Sequence, residues 1–162
     1  MIKHKSHDNY KAFNSSLKMY IRELVKAFPN SQGEMNSIYK LYKMAKTINR
    51  KIPHFGFNRL LYIPYQRELR AKRAFFMDPG FRFKERILDY LHESMQSQWV
   101  TLSENDKQHH WLRLHELMDL CDKCQGGSST ENDIDPNDFK IRALDNFMDN
   151  IVGASTRTNG HL

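Results

Sequence analysis

The sequence has no long run of apolar residues and only two cysteines among its 162 residues. A membrane-spanning helix needs roughly eighteen or more consecutive, mostly apolar residues, and no segment of the chain approaches that length. The amino-terminal segment MIKHKSHDNYK is polar and lacks the apolar stretch that follows the basic residues of a secretory signal. We therefore expect no transmembrane segment, and a protein that stays on the cytosolic side.

Motifs that carry catalysis are also missing. There is no GxxxxGK phosphate-binding loop, no GxSxG nucleophile elbow and no HExxH zinc-binding pair. Turn formation and helix capping explain the carboxylates of DPG and DIDPND, and the second of these segments lacks the glycine and distal glutamate of a calcium-binding loop. The sequence thus predicts a protein that is not an enzyme, with no catalytic residues and no cofactor.

Both cysteines lie near three histidines in HHWLRLHELMDLCDKCQGG. A structural zinc site needs four ligands, but His110 precedes Cys121 by eleven residues, which is about 16 Å along a straight helix. We therefore predict no metal site and interpret Cys121 as a small buried residue and the histidines as part of a helix face. A metal-regulated or redox module built on Cys121 and Cys124 is the less favoured alternative, and the small number of cysteines favours a reducing compartment.

Charge is divided unevenly along the chain. Residues 1–86 carry 19 Lys and Arg against 6 Asp and Glu, residues 87–162 carry 6 against 13, and the net charge is +6. A chain with this asymmetry can neutralise itself, dock head to tail on its own copies, or offer a basic face to an acidic partner.

Apolar residues at spacings of three and four predict an all-α fold, with a bundle of about five helices over residues 10–125. The predicted inward stripe of the first helix consists of Phe13, Leu17, Ile21, Leu24 and Phe28, and that of the fifth of Trp111, Leu114, Leu117, Met118 and Cys121. The first helix ends at Pro29, Asn30 or Ser31 caps the second, and the third begins at Pro64 and ends at the turn DPG. Thr101 and Glu104 have the spacing of a capping box before the fifth. The connector KIPHFGFNRLLYIP is too apolar for a solvated loop, so we expect it to pack under the helices, with room for a short extended piece.

Outside the bundle we predict a polar tail over residues 1–9, a flexible linker over 126–135, a helix over 136–152 and a disordered tail over 153–162. An isolated helix of this length is marginal in water, so this one must dock. We interpret it as an interaction arm, with docking on a second copy slightly favoured over docking on its own bundle. The apolar stripe of the arm consists of Ile141, Leu144, Phe147, Met148 and Ile151.

Two basic stripes form the candidate surface for an acidic partner. Phosphates or carboxylates are the groups that such a surface would bind, and a merely solvated face is the alternative interpretation. The first stripe lies on the second predicted helix and the second on the third. Their residues are Lys40, Lys43, Lys46 and Arg50, and Arg67, Arg70, Lys72 and Arg73.

Three segments, in order, resemble a family of small helical proteins that large nucleocytoplasmic DNA viruses of algae and amoebae encode in multiple copies. The first segment is FNSSLKMYIRELVKAFP, the second is YIPYQRELRAKRAFF and the third is SENDKQHHWLRLHELMDLC. The resemblance covers residues 10–125. The matching positions are Phe13, Asn14, Leu17, Ile21, Leu24, Phe28, Pro29, Pro64, Tyr65, Phe75, Phe76, Ser103, Glu104, Asn105, Trp111, Leu114, Leu117 and Leu120.

This resemblance implies a viral origin and a non-enzymatic structural role, as a minor capsid or other virion-associated component. Expected partners are other capsid or virion proteins, including copies of the chain itself. The expected location is the virion, and the virus factory in the host cytoplasm during assembly. The alternative function is a basic protein that binds or condenses nucleic acid in the virion or the virus factory.

Overall fold

The computed structural model describes the backbone of residues 2–72, 74–125 and 139–160, and the side chains of residues 9–72, 74–125 and 140–153. These ranges are helical, with no β-strand in them, which confirms the all-α class. The α-helices are α1 (Ile2–Ala27), α2 (Gln32–Ile48), α3 (Ile52–Phe57), α4 (Ile63–Arg70), α5 (Arg86–Trp99), α6 (Glu104–Gln125) and α7 (Phe139–Gly160).

The centre of the core lies between α1 and α6, which pack along each other more extensively than any other pair of described helices. Phe13, Leu117 and Met118 are each 0% exposed there. The inward stripes that the periodicity predicts for these two helices are therefore confirmed at their central positions. Other predicted core residues that are buried are Ile21, Phe28, Trp111, Leu114 and Cys121.

Aromatic rings close one end of this core. Trp99 at the end of α5 meets Phe76 edge to face at 5.1 Å between ring centres, and Trp111 of α6 lies 6.2 Å from Trp99. Such edge-to-face pairs bring the positive ring edge against the negative face of a neighbour, which adds to the stabilisation from burial. This aromatic end holds α5 and the segment before it against α6.

Two segments that we expected to be irregular are helical. The first helix begins at Ile2, so residues 2–9 belong to α1 and do not form a separate tail. The apolar connector contains no extended piece: it forms α3, then a π-helical turn from Asn58 to Tyr62, and continues into α4. Pro53 allows this because it lies in the first turn of α3, where the missing N–H is not needed. Pro64 lies at the start of α4, directly after the π-helical turn.

The third predicted helix is shorter than expected. Instead of reaching the DPG turn, α4 ends at Arg70, and Lys72 takes the left-handed conformation with φ of 55°. A short 3-10 turn, Phe75–Met77, follows. The reversal allows Phe75 to enter the core and to stack on Tyr65 at 5.1 Å between ring centres. Burial of the Phe75 ring thus outweighs continuation of the helix.

Capping at two helix starts differs in detail from the predicted pattern. Ser103 is the residue that caps α6, because its hydroxyl accepts the backbone N–H of Asp106 at 3.1 Å. The hydroxyl of Thr101 instead donates to the carbonyl of Gln98 at 2.8 Å. Ser31 precedes α2 as expected, but its side chain does not cap the helix and bonds to Ser94 of α5.

The C-terminal helix packs on its own chain, against α2 and α5. Docking on a second copy, which we slightly favour, stays a prediction. Helix α7 extends to Gly160, so residues 153–160 are helical where we expected a disordered tail. The predicted linker, residues 126–135, lies outside the described residues. None of the described helices has the length and apolar character needed to cross a bilayer.

Candidate functional site

The first basic stripe lies on the outside of α2. Lys40, Lys43 and Lys46 are exposed, and Arg50 follows just after the helix ends. The carbonyl of Arg50 accepts a hydrogen bond from the buried side chain of Asn14 at 2.9 Å, which ties this end of α2 to α1. The three lysines thus share one accessible helix face, while Arg50 is half-buried at its end.

The second basic stripe is divided and partly neutralised. Arg70 donates to Asp119 at 2.8 Å and to Asp122 at 2.7 Å, both on α6. Arg67 is exposed on α4, and Lys72 is exposed beyond the end of that helix. Arg73 lies outside the described residues. Arg70 is therefore paired within the chain, whereas Arg67 and Lys72 remain exposed.

Tyr62 organises the ion pairs of Arg70. Its buried hydroxyl donates to Asp122 at 3.1 Å and accepts from Arg70 at 2.8 Å. The hydrogen bond to Asp119, followed by that to Tyr62, raises the pKa of Arg70 above its ordinary value, so its charge is permanent. We interpret this cluster as a structural clasp between α4 and α6, since each of its charges is satisfied inside the chain.

An open groove between α2 and α7 has a volume of about 600 Å³. We call it the lysine groove. Its lining is almost entirely apolar, and we call the uncharged lining residues its floor and the lysines its rim. The floor consists of Met44, Thr47, Ile48, Ala143 and Phe147, and the rim of Lys40, Lys43 and Lys140.

The lysine groove adjoins a second, smaller depression of about 360 Å³ on the α1 side of α2. Lys43 belongs to both, and its ammonium group lies 4.8 Å from the ring centre of Tyr39. Lys18 and Lys46 line the second depression. Positive charge therefore extends across the outer surface of α2, from the α7 side to the α1 side.

The lysine groove is lined by apolar and cationic side chains. Among the described residues that line it there is no carboxylate, imidazole or thiol, the groups that commonly act as nucleophile or general base. Apolar side chains between cations favour a ligand that is itself apolar on one side and anionic at its edges.

The predicted arm residues have different positions on α7. Leu144 is 7% exposed and packs with Ala45 and Ile52 in a small cluster, to which Ile141 is added. Phe147 lines the lysine groove. Met148 and Ile151 are half-buried. The stripe that we interpreted as an arm thus helps to fix α7 on its own bundle and forms one wall of the groove.

The cysteine and histidine segment lies on α6. Cys121 and Cys124 are buried and reduced, and burial raises the pKa of Cys121 to about 12 and that of Cys124 to about 11. In the described part of the chain no group of His, Cys, Asp and Glu has the arrangement of a metal site. At these pKa values both thiols are protonated near neutral pH, so neither is an activated nucleophile.

The three histidines of α6 have separate roles. His115 donates to the backbone carbonyl of Leu69 at 2.9 Å, and exposed His109 pairs with Glu23 at 3.1 Å. His110 lies beside Tyr20, and burial lowers its pKa to about 4. Each histidine therefore connects α6 to a neighbouring segment.

Sequence reasoning missed three parts of this surface. Lys18 and Lys140 reach this surface from α1 and α7, and Phe147 lines the groove between α2 and α7. No local signal identifies these residues, because their meeting depends on how distant helices pack. The excess of acidic residues in the second half of the chain was a general indication that basic residues such as Arg70 could pair with that half.

The chain matches no family model, and no curated protein and no solved structure is significantly similar to it.

Proposed function

We propose that this chain is a non-enzymatic structural protein that works by binding other proteins, and that the lysine groove is its main contact surface. The groove carries the proposal, because it joins an apolar floor to exposed lysines and is lined by no carboxylate, imidazole or thiol among the described residues. Apolar area at the centre and charge at the edge is the usual composition of a protein interface.

We further propose that the protein is a minor capsid or virion-associated component of a large DNA virus. Support comes from the three ordered segments that resemble the viral family and from the opposite charges of the two halves of the chain. Its partners are other capsid or virion proteins, including copies of itself. It resides in the virion and, during assembly, in the virus factory of the host cytoplasm.

The proposed architecture has a bundle over residues 10–125 and a C-terminal helix tethered by residues 126–135. Packing of α7 on α2 and α5 supports a docked position for that helix. Since α7 forms one wall of the lysine groove, the tethered helix is itself part of the proposed contact surface.

Mass spectrometry of purified particles tests the viral proposal directly. We expect the chain in virions at a reproducible ratio to the major capsid protein. Its presence in infected cells together with its absence from purified particles would contradict the virion role and favour a factor that acts only during assembly.

The second candidate function is binding or condensation of nucleic acid, favoured by the exposed lysines of α2 and the net charge of +6. Neutralisation of Arg70 by α6 shortens the basic surface available to phosphates. Filter binding to duplex DNA at two salt concentrations separates the candidates, because affinity through phosphate contacts falls steeply with salt. We expect no measurable complex at physiological salt; tight binding at low salt that is lost on adding salt would favour the second candidate.

A further inference from the structure

We propose that the lysine groove holds an acidic amphipathic helix of a partner protein. This inference rests on the proposed function and deepens it by naming the chemistry of the partner. The occupant is a helix with one apolar stripe, which enters the groove, and carboxylates along both edges of that stripe.

The shape of the groove favours a helix. Its two walls are themselves helices, α2 and α7, and the space between two packed helices is a channel into which the side-chain ridge of a third can fit. The groove lining on α2 runs from Lys40 to Ile48, which is about 12 Å along the helix, enough for about two turns of a partner. Helix-in-groove binding of this kind presents anchors at positions i, i+3, i+4 and i+7.

The floor supplies the apolar contact. Met44 and Ile48 are one turn apart on α2, and Phe147 faces them from α7. All three are half-buried, so the floor keeps apolar surface that a partner can cover. Nucleic acid would gain little from such a floor, because its phosphate contacts need only the cations.

The rim supplies the charge selection. Lys40 and Lys43 stand on the α2 edge, and Lys140 stands on the α7 edge. Lys40 and Lys43 are exposed and take part in no ion pair with the described residues. The exposed ammonium groups of Lys40 and Lys43 beside an apolar channel select an apolar stripe that is flanked by carboxylates. A bilayer surface fits less well, since Met44, Ile48 and Phe147 are half-buried.

The test uses the full-length protein and a defined probe. The probe is an 18-residue synthetic helix, labelled with fluorescein, that has leucines on one stripe and glutamates beside it. Its binding is measured by fluorescence anisotropy at physiological salt. The protein variant is K40E/K43E. The matched control is K84E/K123E, which changes the net charge equally at two exposed lysines outside the groove lining.

We expect saturable binding to the wild type. Binding to K40E/K43E should be about tenfold weaker, because two exposed ion pairs with the probe are reversed. The affinity of the control should change by less than about twofold. Ala143→Trp should also abolish binding, because Ala143 is an exposed part of the floor and a larger side chain fills it. Far-ultraviolet circular dichroism of each variant confirms that the fold is intact. A second probe with lysine in place of glutamate should not bind.

Four results would overturn the inference. The first is that the acidic probe does not bind the wild type, and the second is that it binds K40E/K43E or A143W as tightly as it binds the wild type. The third is that phosphatidylserine vesicles, and not the probe, bind in a way that depends on Lys40 and Lys43. The fourth is that sedimentation equilibrium shows a self-association that K40E/K43E abolishes, which would assign the groove to a second copy. Each of these leaves the virion measurement unaffected, so failure here is distinguishable from failure of the proposed function.

Discussion

His110 lies against both tryptophans of the chain and makes the stability of the protein sensitive to mild acid. Its ring centre is 5.2 Å from that of Trp99 and 5.3 Å from that of Trp111, and its Nδ1 is 3.5 Å from the hydroxyl of Tyr20. Burial lowers the pKa of His110 from 6.5 to about 4 in the folded protein. We predict that replacing His110 by phenylalanine, which keeps the aromatic contacts, removes part of the acid sensitivity.

The size of the effect follows from proton linkage. Below pH 6.5 His110 becomes protonated in the unfolded chain, whereas in the folded protein it stays neutral until the pH falls to about 4. The free energy of unfolding therefore falls as the pH drops through this window and levels off below it. Between pH 7.5 and pH 5 the loss from this one residue is about 2 kcal/mol. Burial lowers the pKa of His54 as well, so His54 adds a loss of the same sign in wild type and variant.

Urea unfolding at pH 7.5 and at pH 5 measures this prediction. The free energy that the wild type loses between the two values should exceed the loss of H110F by about 2 kcal/mol, while contributions from His54 and the carboxylates cancel in the comparison. His109→Gln is the matched control, because His109 is 53% exposed in its side chain; it should keep the acid sensitivity. Equal pH dependence in the wild type and H110F would refute the burial of a neutral His110.

The remaining predictions concern the backbone, the core and the thiols. Lys72→Gly should stabilise the protein by about 1 kcal/mol in urea unfolding, because φ at Lys72 is 55°, and Lys72→Ala should give no such gain. Leu117→Ala, at a 0% exposed position, should lower the free energy of unfolding by about 3 kcal/mol or more. Leu112→Ala, at a 65% exposed position, should change it by less than about 0.5 kcal/mol. Similar losses in the two variants would contradict the assigned core. Cys121 and Cys124 should react slowly with 5,5′-dithiobis(2-nitrobenzoate) at pH 8 in the native protein and completely in denaturant, since burial raises both thiol pKa values; rapid native reaction would contradict their burial.

Local periodicity predicted the helical class and the inward faces of α1 and α6, because each buried stripe there follows from spacings of three and four within one segment. The same rule does not decide whether a proline interrupts a helix or begins one. Pro53 suggested a connector, yet it lies in the first turn of α3, whereas Pro64 lies at the start of α4, as its position predicted. The start of α6 is ambiguous for a similar reason, since Thr101 and Ser103 each precede an acidic residue by three positions, and only tertiary packing selects the second.

The candidate site was less predictable than the fold. The sequence identified Lys40 and Lys43 as exposed cations, but their relation to Phe147 depends on the docking of a helix about a hundred residues further along the chain. Arg70 was grouped with the same surface because it is basic, while the structure pairs it with α6. Charge alone therefore indicated the kind of partner, and packing decided which residues remain available to it.

The separation of the two apolar clusters has a consequence for spectroscopy. Trp99 and Trp111 both belong to the cluster between α1 and α6, whereas the cluster around Leu144 contains no tryptophan. Release of α7 alone would leave the indole emission unchanged and yet reduce the ellipticity, because α7 contributes 22 helical residues. If the emission and ellipticity traces do not superimpose on heating, α7 unfolds as a separate cooperative unit. The difference between the two traces would then measure, without a label, the stability of α7 docking.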